Sequence, residues 1–233
     1  MIYISDLKKS FKGQVAIDIE KLNISSGSNI GLVGNNGAGK TTLFRLLLDL
    51  LPADQGFCEI NDEKIVGNDA WKTITAAYLD DRFLIPYLTP YEYWEFILKT
   101  RNITYSNIGE VVSPYARLLT DDLKSGKYIR ELSAGNKARV GIISVFLGEP
   151  ELIILDEPYA NLDPSSQQSL VSMIDNKPKD TTIIVSSHDL NHIQKVSDEI
   201  ILMENGKILK QLSRTNQNLE EINQYFTSEA LTD

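Results

Sequence analysis

Residues 34–42, Gly34-Asn35-Asn36-Gly37-Ala38-Gly39-Lys40-Thr41-Thr42, fit the spacing G-x-x-x-x-G-K-S/T. Successive backbone N–H groups in such a loop wrap a phosphate chain, and the following helix aims its positive end at the same anion. Gly34, Gly37 and Gly39 permit the tight turn and the close approach that a Cβ would block. Lys40 can reach β- and γ-phosphates, and the Thr41 hydroxyl can ligate Mg²⁺. At average residue usage, a chance match arises on the order of once per hundred chains of this length. The bland alternative is a glycine-rich turn with no ligand. Its flanks argue against that: Asn29 to Val33 is short and largely apolar, as a buried strand is. Thr42 to Leu48 is leucine-rich and reads as a helix ending near Pro52.

Two further segments carry chemistry at strand ends. Leu152-Ile153-Ile154-Leu155 suits a strand covered on both faces, and Asp156, Glu157 and Pro158 follow it. Ligands bind outside the carboxyl ends of parallel strands, so Asp156 is expected to face the glycine loop and hold Mg²⁺ through its water shell. Glu157 would orient or deprotonate a water attacking a γ-phosphate. Taken alone, adjacent carboxylates read as a solvated turn; the aliphatic strand before them favours the metal reading. Ile183-Ile184-Val185 ends in Ser186-Ser187-His188, which delivers His188 to the same edge, within reach of a γ-phosphate or the lytic water. A competing reading puts His188 and His192 four apart on one helix face, a near-miss to H-E-x-x-H zinc sites. It lacks the glutamate base and a third ligand outside the acidic residues. A structural His188 is the remaining alternative. Finally, Leu132-Ser133-Ala134-Gly135-Asn136-Lys137 precedes a predicted helix over 138–147. A Ser-x-Gly turn at a helix start is an anion site, though taken singly it means an N-cap.

The elements that must hold these groups follow from the pattern. Residues 1–28 alternate apolar and polar positions around Lys12-Gly13 and Ser25-Ser26-Gly27-Ser28, which predicts short, mostly antiparallel strands. Gly56 to Ile65 reads as another hairpin. Between 83 and 148 helical spacing takes over, broken at Pro86, Pro90 and Pro114. From Glu151 strand and helix alternate again, with a helix near 164–175. The expected class is α/β, a parallel sheet interrupted by a helical insert. Residues 213–233 are polar and acidic, suited to one short helix and a frayed end.

Composition narrows the function. The 233 residues suffice for a sizeable core, and the net charge of −9 argues against nucleic acid and against direct adhesion to anionic lipid. Cys58 is the one cysteine, so no intrachain disulfide forms and a reducing cytosolic setting fits. No signal peptide is visible at Met1 to Asp6, and the near-apolar stretch Val140 to Gly148 is too short for a bilayer. Any membrane role must be borrowed from a partner.

In this order, the segments resemble the nucleotide-binding subunit of ATP-binding-cassette (ABC) transporters over about residues 1–210. Residues 34–42 match the Walker A loop and 152–157 the Walker B strand with its glutamate. Leu132-Ser133-Ala134-Gly135-Asn136 resembles the L-S-G-G-Q signature, Asn161-Leu162-Asp163 the D-loop, and His188 the switch histidine. Phe11 sits where the family places an aromatic that stacks on adenine. The compact length and the lack of an added C-terminal regulatory domain resemble exporter-type cassettes more than importers.

The resemblance implies a P-loop NTPase (RecA-like) fold. Its mostly parallel sheet carries an N-terminal antiparallel β subdomain and an inserted helical subdomain. One domain would span 1–233: a core of 1–82 and 149–212, a helical subdomain of 83–148, and a tail of 213–233. It also implies that two subunits, identical or paralogous, sandwich two Mg²⁺-ATP molecules head to tail, with Ser133 and Gly135 touching the partner's γ-phosphate and Asp163 communicating across the interface. Gly34, Asn35, Asn36, Gly37, Ala38, Gly39, Lys40, Thr41, Thr42 and Phe11 would bind ATP. Thr41, Asp156 and Asp81 would serve the metal, and Glu157, His188 and Lys40 catalysis. The cycle would drive a separate permease from the inner face of the cell membrane, with Phe83 and Tyr87 as a docking patch and no nucleic acid involved. Three departures stand out: Ala134 and Asn136 in the signature, and Asp81 where the family has a Q-loop glutamine. Alternatives are a soluble cassette ATPase, as in iron–sulfur assembly, and an ATP-binding regulatory module with little turnover.

Overall fold

Lys12 and Gly13 both take positive φ, 50° and 85°, and close a two-residue hairpin between Phe11 and Gln14. That turn joins β1 (Ile2–Phe11) to β2 (Gln14–Ile24). The computed structural model describes residues 1–215, 217, 218, 220 and 222, so most of the expected 213–233 tail lies outside the described residues. After the hairpin come β3 (Asn29–Val33), α1 (Lys40–Leu47), β4 (Gln55–Ile60), β5 (Glu63–Lys64) and α2 (Ala70–Ile74). Next are β6 (Thr75–Tyr78), α3 (Pro90–Thr100), α4 (Ile108–Val112), α5 (Asp121–Lys124), α6 (Ala134–Phe146), β7 (Leu152–Leu155) and α7 (Pro164–Asp175). The chain closes with β8 (Thr182–Ser187), α8 (Leu190–Val196), β9 (Glu199–Glu204) and β10 (Lys207–Ser213). Two compact units result: residues 1–71 with 182–233, and residues 72–181.

The first unit holds an antiparallel sheet of order β2-β1-β4-β5. Alternation puts Ile2 and Ile4 of β1, and Ile17 and Ile19 of β2, in the core, while the residues between them are less buried. β3 pairs in parallel with β8 on one side and β9 on the other, and β10 runs antiparallel to β9. Strands covered on both faces read as continuous apolar runs, and β3 does so from Ile30 to Val33. Helix α8 packs so closely on β3 that a Cβ at Gly31 would lie 2.0 Å from Ile193 Cγ2. Cys58 is buried in β4, and burial pushes its thiol up to about 12, so it is an inert core residue.

In the second unit β6 and β7 pair in parallel, Tyr78 opposite Leu155. Helix α6 lies against β6, and a Cβ at Gly141 would meet the Tyr78 ring at 2.2 Å. Helix α3 starts with a capping box: Thr89 Oγ1 accepts from the Glu92 N–H, and the Glu92 carboxylate accepts from the Thr89 N–H at 2.8 Å. Its Trp94 is fully buried and donates to the Val140 carbonyl at 3.1 Å. Truncating it to alanine would cost about 3–5 kcal/mol. Helix α6 begins at Ala134, ahead of the Ala138 expected from the apolar pattern, because Ser133 caps it by accepting from the Asn136 N–H at 3.3 Å.

Candidate functional site

The glycine loop belongs to the first unit. Register pairs Val33 with Ser187, so Gly34 and His188 leave from the carboxyl ends of neighbouring strands. Gly34 is required by close approach: a Cβ there would sit 2.2 Å from the Met203 carbonyl oxygen. Gly39 is required by conformation as well, with φ 105° and a Cβ position 2.9 Å from the Ala16 carbonyl oxygen. The loop borders a cavity of about 270 Å³ that Asn35, Asn36 and Gly37 line together with Glu204 and Asn205.

Helix α1 leaves this loop with no acidic residue in its first turn, so no side chain there offsets its positive end. Lys40 is buried, 6% exposed, and its Nζ donates to the Gly34 carbonyl at 2.6 Å and to the Asn35 carbonyl at 3.3 Å. The ammonium thus braces the loop's curvature from within. Phe11, 47% exposed, stands at the end of β1 with Lys9 Nζ 5.6 Å from its ring centre. The same β2 backbone that follows this hairpin, at Ala16, touches both Gly39 and Gly206. The aromatic hairpin and the glycine loop are therefore assembled side by side.

His188 is exposed and precedes α8, whose first residue is Leu190. The two histidines therefore do not share a helix face, which corrects the zinc reading. Among the described residues, no group of three His, Cys, Asp or Glu is placed to hold a metal by itself. Asp189 between them caps α8 by accepting from the Asn191 N–H at 2.8 Å. Partial burial raises its carboxyl, but the Asn191 hydrogen bonds outweigh that and hold it below the usual range.

The second unit gathers the other groups. The Asp156 N–H donates to the Tyr78 carbonyl at 2.9 Å, so Asp156 leaves β7 beside the exit of β6, and its side chain is buried. Glu157 takes φ 46°, a left-handed conformation that a non-glycine residue seldom adopts. Such strain of order 1–3 kcal/mol is held by surrounding structure and marks functional turns. Asp80 is committed to Arg82, accepting from its backbone N–H at 2.8 Å and from Nη2 at 2.7 Å. Exposed Asp81 lies 3.5 Å from Lys137 Nζ, an ion pair with the residue that follows the signature.

The signature departures have local reasons. Ala134 and Gly135 both lie in α6 without positive φ, so alanine is tolerated. Gly135 is needed because a Cβ would come 2.9 Å from the Asn161 carbonyl oxygen. Asn136 is buried: its Nδ2 donates to Asp122 at 3.2 Å, and its Oδ1 accepts from Thr120 at 3.2 Å and from Arg139 Nη1 at 2.6 Å. Arg139 also donates through Nε to Ser166 Oγ at 3.0 Å and through Nη2 to Asp163. Asp163 in turn caps α7, accepting from the N–H groups of Ser165 at 3.0 Å and Ser166 at 3.1 Å. The Ser166 hydroxyl above all, with its N–H and the Arg139 charge, holds the Asp163 carboxyl below its usual range.

Two participants are not singled out by the sequence reading. Asn205-Gly206, with φ 46° and 78°, is a hairpin dipeptide whose Gly206 N–H donates to the Ala38 carbonyl at 2.9 Å. Its N-G signal was available. Arg139 carried no such signal, since its partners Ser166 and Asp163 lie 27 and 24 residues away.

A family profile described as "ABC transporter" matches residues 18–160. The chain belongs to the ABC transporter family. The spermidine/putrescine import ATP-binding protein PotA of Fusobacterium nucleatum is 31% identical over 212 residues, covering 90% of this chain and 56% of that protein. The chain thus spans about half the length of that relative. The tungstate uptake ATP-binding protein TupC of Peptoclostridium acidaminophilum is 28% identical over 209 residues, covering 89% and 96%. Both are named for uptake, which runs against the exporter-type resemblance. Among solved structures, the dimeric ATP-binding cassette MJ0796 with ADP and Pi gives a TM-score of 0.81 at 21% identity, covering 92% of this chain and 100% of that one. The cbiO1 protein from Clostridium perfringens gives 0.71 at 26% identity, covering 91% and 88%. The fold is that of ABC ATPase cassettes, P-loop NTPases with an N-terminal antiparallel sheet. No described helix is long and apolar enough to cross a membrane.

Proposed function

We propose that this cassette binds and hydrolyses Mg²⁺-ATP, pairs with a second cassette, and drives a separate permease at the inner face of the cell membrane. The observation that carries the reading is the glycine loop, whose two Cβ-excluding positions and unneutralised helix start make a cradle for a phosphate chain. The donor set fits the metal as well, since a threonine hydroxyl and buried or exposed carboxylates are hard oxygen ligands. Thr41, Asp156 and Asp81 would hold Mg²⁺, which would supply positive charge to offset the negative charge that develops on the phosphates during transfer.

In this reading Phe11 stacks on adenine, and the backbone of 34–39 with Thr41 and Thr42 holds the phosphates. Lys40 exchanges its Gly34 and Asn35 carbonyl partners for β- and γ-oxygens. Thr41, Asp156 and Asp81 serve the metal, and Asp81 must first leave Lys137 to do so. Glu157 accepts a proton from the attacking water, and His188 hydrogen-bonds the γ-phosphate. Ser133 and Gly135 complete the partner's site, and Asp163 reports across the interface. Nucleotide binding closes the pair and hydrolysis reopens it, a two-state cycle set by the differential affinity for ATP.

The permease reading is supported by Phe83 and Tyr87, 50% and 67% exposed, with Arg130 stacked 5.0 Å over the Tyr87 ring. It is supported too by the relatives PotA and TupC, which are named as import and uptake ATP-binding proteins. The test is phosphate release from Mg²⁺-ATP with the permease present. Absence of turnover alongside intact ATP binding favours the regulatory-module alternative, which the Asp81–Lys137 pair motivates.

A further inference from the structure

Away from the groups assigned above, the second unit contains a cavity of about 420 Å³ where β6, the end of α3 and α6 meet. That volume lies in the range of small-molecule sites. Arg101, the residue that ends α3, lines it. Its guanidinium donates to the carbonyl oxygens of Thr75 at 3.0 Å and Leu147 at 3.4 Å. Those bonds use two of five N–H donors, and no carboxylate among the described residues pairs with the charge. Beside it, Thr75 is only 8% exposed, and its Oγ1 has no hydrogen-bond partner. A buried hydroxyl left without a partner costs about 1–3 kcal/mol, so the arrangement needs a reason.

We propose that Arg101 and Thr75 form a binding site for a small carboxylate-bearing molecule. The guanidinium fork offers parallel N–H donors that match a planar carboxylate, and the Thr75 hydroxyl supplies a third bond beside it. The carbonyl end of α3 opposes an anion with about half a unit of charge, whereas the guanidinium supplies a full unit at closer range, so attraction wins. Burial pulls the Arg101 pKa below its ordinary value, which still leaves the group charged at neutral pH. The ligand would rest on β6, whose last residue Tyr78 is three before Asp81, and on α6, which Ser133 caps. Its occupancy is therefore placed to regulate turnover, although binding itself does not depend on the ATPase reading.

The test is the full chain's melting temperature in a succinate titration, against sodium chloride at matched ionic strength. The expected result is a saturable rise that chloride does not produce. Thr75→Val removes only the unpartnered hydroxyl, so it should fold as the parent does and bind succinate about tenfold or more weakly. Arg101→Met should abolish the rise. If Arg101→Met fails to fold, Thr75→Val alone decides. No saturable rise with succinate, or a Thr75→Val variant that binds like the parent, overturns the proposal.

Discussion

The glycine loop and the signature region are built from different materials. Around Gly34 and Gly39 the work is done by main chain: absent Cβ atoms, amide N–H groups and one lysine folded onto carbonyls. Around Ser133 the helix start is held by side chains, with Asn136 and Arg139 reaching Asp122, Ser166 and Asp163. A main-chain site depends on where glycine stands, so its spacing is rigid and local. A side-chain site depends on which polar groups meet across the fold, so it tolerates Ala134 and Asn136 provided that the new partners are satisfied.

The largest expected effect falls at a third place, and it calibrates both. Glu157→Gln should lower steady-state phosphate release about 10²–10⁴-fold while retaining ATP and trapping a dimer visible by size exclusion. Parental turnover in that variant would remove Glu157 from its proposed role. Next is Gly34→Ala, whose methyl would lie 2.2 Å from a backbone oxygen. It should destabilise the chain by about 1–3 kcal/mol in denaturant titration and abolish nucleotide binding. Ordinary ATP affinity there would mean that the main-chain site is less rigid than described.

Arg139→Met should act more mildly, because it removes hydrogen bonds and leaves the buried Asn136 oxygen short of a donor. About 1–3 kcal/mol of stability should be lost. ATP binding by the monomer should persist while nucleotide-driven pairing of the Glu157→Gln background weakens. Equal loss of both would erase the distinction between the two regions. The smallest effect concerns pH. Asp163 is depressed in the folded chain, so the unfolded chain binds its proton more readily. The stability it contributes is complete above the unfolded value of about 3.9 and fades as pH falls through the lower folded value. Asp163→Asn should therefore lower stability modestly at neutral pH and flatten the acid limb of the stability–pH curve, the variant and the parent converging at low pH.

Much of the fold was legible because it rests on period and punctuation. The apolar runs of β3, β7 and β8 and the Lys12-Gly13 turn were readable as they stand. The start of α6 was not, since its polar first turn hides a helix that the Ser133 cap nucleates. The two-histidine face failed for a related reason: counting four residues presumes a helix, and His188 precedes one.

Sequence by itself determined the glycine loop, because glycine at fixed intervals limits what the main chain can do whatever surrounds it. It likewise determined the aliphatic strands that end in Asp156 and in His188. Tertiary structure alone decided that Asn136 turns inward to Asp122 and Arg139, that Asp81 meets Lys137, and that the Thr75 hydroxyl is left unpaired beside Arg101. Those outcomes depend on which polar groups distant segments bring within 3.5 Å, and no local rule of spacing contains that information.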